Sequence, residues 1–151
     1  MITSSLTGFG GSQAPALETS NISLTETLPK ENKKSEIEKN ITVEEYVRNY
    51  FSDIPIMVEI ARCESRFRQH DKSGKVLRGK VNTLDRGVMQ INEYYHNDEA
   101  DKLGFNLLTI EGNTAYARYL YEKYGVKPWK SSGPCWKKTV AYAHYTELAM
   151  K

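Results

Sequence analysis

Two carboxylates, Glu64 and Asp85, lie some twenty residues apart in segments whose neighbours could support acid chemistry. The first segment reads Cys63-Glu64-Ser65-Arg66-Phe67. The second reads Asp85-Arg86-Gly87-Val88-Met89-Gln90-Ile91-Asn92. Together they offer a glutamate, a second carboxylate and two amides. Breaking a glycosidic bond needs such a set: an acid for the leaving oxygen, a group to steady charge on the sugar, and amides to hold hydroxyls.

An element must hold each segment. Asp53 is a candidate N-cap and Pro55 suits a first helical turn. Ile56, Ile60, Cys63 and Phe67 follow i, i+4, i+7, i+11, so the spacing predicts a helix over residues 53–68. Glu64 lies within about 40° of Ile60 and Met57 around that helix, at the border of the apolar stripe. Desolvation there favours the protonated carboxyl, the form a general acid needs. The competing reading is a boundary glutamate paired with Arg68 at i+4. In the second segment, apolar and amide residues alternate from Val88 to Asn92. That fits a short strand or tight turn with Gln90 and Asn92 facing out. The competing reading is a turn in which Asp85 caps backbone and the amides are merely solvated.

Glu64-Ser65 followed by Gly87-Val88-Met89-Gln90-Ile91-Asn92 resembles the lysozyme-like superfamily, especially soluble lytic transglycosylases of the Slt type. Asn82-Thr83-Leu84-Asp85-Arg86-Gly87 is also similar to the corresponding turn of c-type lysozymes. The resemblance covers roughly Val43 to Trp136. It implies a mainly α (α+β) lysozyme-like fold, helices around a groove with a small β element. It implies cleavage of the β-1,4 bond between N-acetylmuramic acid and N-acetylglucosamine, with Glu64 as acid and then base and a 1,6-anhydromuramic product. Asp85 matches the lysozyme aspartate that partners the acid, which leaves a hydrolytic alternative. Ser65, Met89, Gln90 and Asn92 fall on substrate-side positions of the motif. Asn113 matches the family's substrate-side asparagine or is a core amide satisfied by backbone; both readings stand. The tyrosine that many Slt-type enzymes aim at the glutamate has no counterpart, and the nearest region reads Trp129-Lys130-Ser131-Ser132-Gly133-Pro134-Cys135-Trp136. Tyr94, Tyr95, Tyr119, Trp129 and Trp136 are candidate sugar-subsite aromatics, or core. A different class, a non-catalytic wall-binding or assembly module, would retain the fold without needing Glu64, Gln90 and Asn92.

The two cysteines fit one disulfide in an oxidising compartment, or two buried thiols, or a nucleophile. Resuscitation-promoting factors resemble the chain in a Cys-Glu-Ser start and a late cysteine that pair, which implies a bridge between Cys63 and Cys135. No Cys/His spacing suggests a metal, and the chemistry needs no cofactor. His70, His96 and His144 read as surface residues.

Length and texture suggest a polar tail or linker over residues 1–41 and one catalytic domain over 42–151. Thr42 to Glu45 has capping-box spacing, Glu93 to Leu103 a helix ending at Gly104, Leu107 to Tyr124 a strong helix, and Thr139 to Met150 a last helix. His70 to Val81 reads as a loop or loose hairpin. Net charge is +2, divided as −1 over the first 41 residues and +3 over the rest. Arg62, Arg66, Arg68, Lys72, Lys75, Arg78, Lys80 and Arg86 cluster around the two segments, a stripe suited to anionic glycan or merely solvated. No nucleic-acid motif accompanies it. No apolar run suits a membrane span and no signal peptide is visible. The expected setting is extracytoplasmic, periplasmic, wall-bound or secreted, by way of a removed leader, a phage holin or another machine. The expected partner is the peptidoglycan glycan strand, and the expected state a monomer.

Overall fold

The computed structural model describes residues 41–150. The expected tail falls, apart from Ile41, outside them. The described chain is mainly helical with one small sheet. Helix α1 spans Val43–Tyr50, α2 Pro55–Ser65, α3 Glu93–Lys102, α4 Ile110–Tyr124, α5 Gly133–Trp136 and α6 Val140–Ala149. A 3-10 turn, Lys127–Ser132, precedes α5. Strands β1 (Asp85–Arg86) and β2 (Ile91–Asn92) pair antiparallel, Asp85 opposite Asn92 and Arg86 opposite Ile91.

The helix ends follow from local chemistry. Thr42 and Glu45 form the expected capping box of α1. Pro55 opens α2, where its missing N–H costs nothing. Asp53 does not cap α2; the N-cap is Ile54, without a side-chain bond. Asp53 instead receives two hydrogen bonds from the Arg118 guanidinium, at 2.8 and 2.9 Å. Arg118 also donates to the Tyr50 carbonyl, so one α4 side chain ties the end of α1 to the start of α2. Helix α2 stops at Ser65, short of the expected Arg68, because Arg66 and Phe67 both take left-handed backbone. Gly104 and Gly125 close α3 and α4 as expected.

One face of α2 (Ile56, Met57, Ile60, Ala61) is buried at the centre. Around it lie Val47 and Phe51 of the α1 region, Tyr116, Ala117 and Leu120 of α4, and Trp129 and Trp136. Cys63 is bridged to Cys135, a span of 72 residues that fastens α2 to α5. In the chain-entropy view, closing a loop of that size contributes on the order of 4 kcal/mol.

The turn joining β1 and β2 is set by amides, not by apolar packing alone. Gln69 and Asn113 are both fully buried. Asn113 accepts from the Met89 N–H and donates to the Arg86 and Leu107 carbonyls. Gln69 accepts from the Val88 N–H and donates to the Leu108 carbonyl. Gly87 sits between them with φ +66°, and a Cβ there would meet Gln69 Oε1 at 2.6 Å and Asn113 Nδ2 at 2.7 Å.

Asn113→Leu should cost on the order of 3 kcal/mol or more in denaturant unfolding, because one N–H and two carbonyls lose buried partners. A second expectation concerns Asp53, whose pKa the Arg118 guanidinium lowers from 3.8 to about 2. The folded state therefore holds that proton less tightly than the unfolded chain does. The stabilisation is present above about pH 4 and lost as pH falls towards about 2. Asp53→Asn should flatten the stability–pH curve in that window and leave the rest of it unchanged in slope.

Candidate active site

Glu64 stands one residue before the end of α2, half-buried. It does not pair with Arg68. Its Oε1 accepts a 2.6 Å hydrogen bond from Ser132 Oγ, contributed by the segment before α5. Burial raises its pKa above the ordinary 4.5, and the charge of Asp85 acts in the same direction, while the Ser132 bond opposes both. The negative end of the α2 dipole also disfavours the ionised form. The Cys63–Cys135 bridge joins the residue before Glu64 to one three positions past Ser132, so it holds both partners of the bond in register.

Glu64, Asp85, Gln90 and Ser131 all border two connected recesses. One is an open groove of about 750 Å³, flanked by Arg68, Arg78 and Lys80. The other is an inner cavity of about 120 Å³, walled by Ile91, Asn92, His96, Leu120, Pro128 and Trp129. The β1–β2 register sets Asp85 opposite Asn92, whose Nδ2 donates to Asp85 Oδ1 at 2.7 Å. Gln90 has left-handed backbone (φ +51°) and donates to the Gly87 carbonyl. Such a conformation in a non-glycine residue costs on the order of 1 kcal/mol, and here it turns Gln90 to the groove while Val88 and Met89 go into the core. Gly79 lies against Asp85: a Cβ would come within 3.1 Å of its carboxylate.

The expected site residues divide. Glu64, Asp85, Gln90 and Asn92 converge on the recesses. Ser65 does not; it is buried, donates to the Ala61 carbonyl and accepts from the Arg68 N–H, closing the helix end. Met89 is wholly buried, and its carbonyl takes the Trp129 Nε1 proton. Asn113 is the core amide described above, so the backbone-satisfied reading holds. Trp136 is also core, and Trp129 is buried with one side on the inner cavity. Tyr119 is bound to Glu99, whereas Tyr94 and Tyr95 are exposed. In the basic stripe, Arg86 is buried and pairs with Glu93, and Arg62 pairs with Glu59. His96 is not a surface residue: it is half-buried and bonded through Nδ1 to the Tyr116 hydroxyl at 3.0 Å. Among the described residues no His, Cys, Asp or Glu cluster is arranged to hold a metal.

No family model, curated protein or solved structure matches the chain. Sequence reasoning missed Ser132 and Gln69. Ser132 lies within the region that stands where the missing tyrosine was sought, and a hydroxyl there was the available signal. Gln69 carried none, because its role depends on a contact with a turn nineteen residues later.

A raised pKa means that the folded state binds the Glu64 proton more tightly than the unfolded chain does. The Glu64 contribution to stability is therefore greatest below the ordinary value of 4.5 and declines as pH rises through the folded pKa. Glu64→Gln should raise the melting temperature at pH 7 and have no such effect at pH 4. Ser132→Ala removes the bond that favours the charged form. Carbon-13 NMR titration should show the Glu64 pKa moving further up in that variant.

Proposed function

We propose that the chain is a peptidoglycan-cleaving lytic transglycosylase of lysozyme-like architecture, acting on the N-acetylmuramic acid–β-1,4–N-acetylglucosamine bond. One observation carries the reading: a carboxyl biased towards its protonated form stands in the wall of an open groove beside a second carboxylate. Protonated Glu64 gives its proton to the glycosidic oxygen as the bond to C1 breaks. The acetamido oxygen of the muramoyl residue attacks C1 and takes up the developing charge. Glu64, now a carboxylate, removes the proton from the O6 hydroxyl, which closes on C1 and releases the acetamido group. The product is a 1,6-anhydro sugar, and no water is consumed. The Ser132 bond keeps the Glu64 carboxyl aimed through both steps. Gln90 and Asn92 border the path of the glycan.

The cationic flank of Arg68, Arg78 and Lys80 suits an anionic wall polymer. The disulfide suits an oxidising, extracytoplasmic setting. No helix among the described residues is long and apolar enough to cross a membrane. A hydrolytic reading is favoured by a specific observation: Asp85 borders the same two recesses as Glu64, oriented by Asn92. In that version Asp85 assists C1 and water ends the reaction.

Glu64→Gln should lower dye release from purified peptidoglycan by about 10²–10⁴-fold while the circular dichroism spectrum is retained. Mass spectrometry of the products separates the two chemistries. Anhydro ends are about 18 Da lighter than reducing ends, one water by the balance of internal attack. Anhydro ends that persist in Asp85→Asn support the transglycosylase; reducing ends alone, with most activity lost in that variant, establish the hydrolase.

A further inference from the structure

The inner cavity carries two hydrogen-bond acceptors whose roles nothing above absorbs. Asn92 donates one Nδ2 proton to Asp85, and its Oδ1 is buried without a partner among the described residues. His96 follows one helical turn later, on the same side of α3, and borders the same cavity. Its tautomer is fixed from behind. Glu99 accepts from the Tyr116 hydroxyl at 3.1 Å and the Tyr119 hydroxyl at 2.7 Å, and from Lys123 at 3.1 Å. Tyr116 has one proton, and it goes to Glu99. The 3.0 Å contact between Tyr116 and His96 is then made by the Nδ1 proton of the imidazole. The lone pair is left on Nε2, which has no protein donor among the described residues. Leu120, Pro128 and Trp129 supply an apolar wall.

We propose that this cavity is a binding site for a hydrogen-bond-donating group of the glycan, a hydroxyl or an amide N–H, with Asn92 Oδ1 and His96 Nε2 as its acceptors. It rests on the reading of Glu64 as a glycosidase acid only in so far as a glycan is the ligand. Burial lowers the His96 pKa, and Glu99 on its own helix opposes that. The other titratable groups around it are Tyr116 from α4 and, across the cavity, Glu64 and Asp85. Protonation of Nε2 would turn an acceptor into a donor, so binding should weaken as pH falls through the His96 pKa.

Chitotetraose and its fully de-N-acetylated counterpart are suitable probes, added to the Glu64→Gln protein and followed by the nitrogen-15 signal of His96 Nε2. A saturable shift with chitotetraose is expected. A shift that survives de-N-acetylation shows that the acetyl group is not required, and one that is lost assigns the donor to the acetamide; both outcomes support the site. No shift with either probe overturns it. Two substitutions separate ligand binding from scaffolding. His96→Asn keeps a group at the Nδ1 position and loses the cavity acceptor; His96→Gln does the reverse. Chitotetraose affinity should fall at least tenfold in His96→Asn and by less in His96→Gln. Wild-type affinity in His96→Asn, or the larger loss in His96→Gln, assigns the histidine to scaffolding and overturns the proposal. A wild-type protein that gives the His96 shift but leaves peptidoglycan uncut sinks the glycosidase reading and leaves the binding site standing.

Discussion

Two buried amides, Gln69 and Asn113, hold the chain from Arg86 to Met89 by its backbone, and the site is built outward from that clasp. Each amide spends its donor and acceptor on main-chain groups, so the turn is fixed in position as well as shape. Trp129 adds a third tie through the Met89 carbonyl. The β1–β2 ladder is only two residues long. A ladder that short cannot choose its own register, and a slip of one residue would exchange inward and outward side chains. With the turn clamped, Asp85 must face Asn92, and both border the inner cavity. The same ties reach the segment of Trp129 and Ser132, and hence the donor to Glu64.

Glu64 illustrates how the scaffold offsets a local cost. A half-buried carboxyl near a helix C-terminus and another carboxylate is unfavourable when ionised, and nothing within the groove pairs it with a cation. Ser132 offers one hydrogen bond, enough to orient the group and too little to restore its ordinary acidity. The bridge from Cys63 to Cys135 keeps that bond by covalent means. A long-span cross-link thus supports a polar arrangement at the edge of a small core.

The helices were legible because their signals are local. A capping box at Thr42, proline at the first turn of α2, and glycines after α3 and α4 act within a few residues, and each appears where expected. The convergence of Glu64, Asp85, Gln90 and Asn92 was legible from motif spacing. What failed was everything decided by tertiary partners. Asp53 has the right type for a cap but is claimed by Arg118, sixty-five residues away. Ser65 and Met89 sit inside the motif yet support it from behind. Arg86 belongs to a basic run in sequence and is drawn into the interior by Glu93. His96 read as surface because the sequence shows no relation between it and either cysteine; its direction depends on Tyr116, twenty residues away.

A cationic groove and a carboxyl of raised pKa are in tension, and the structure resolves it by placement. A cation within ion-pairing distance would stabilise the carboxylate and lower its pKa. Arg68, the nearest basic residue in sequence on the groove, has its Nε bound to the Ser65 carbonyl, which ties the base of its guanidinium to the end of α2. Arg78 is tied in the same manner to the Thr83 carbonyl. Both charges remain on the exposed rim, where solvent weakens their action on a single side chain. Glu64, desolvated and hydrogen-bonded only to a neutral hydroxyl, keeps its raised pKa. The separation of the rim's positive charge from Glu64 is therefore a consequence of two backbone tethers, at the Ser65 and Thr83 carbonyls.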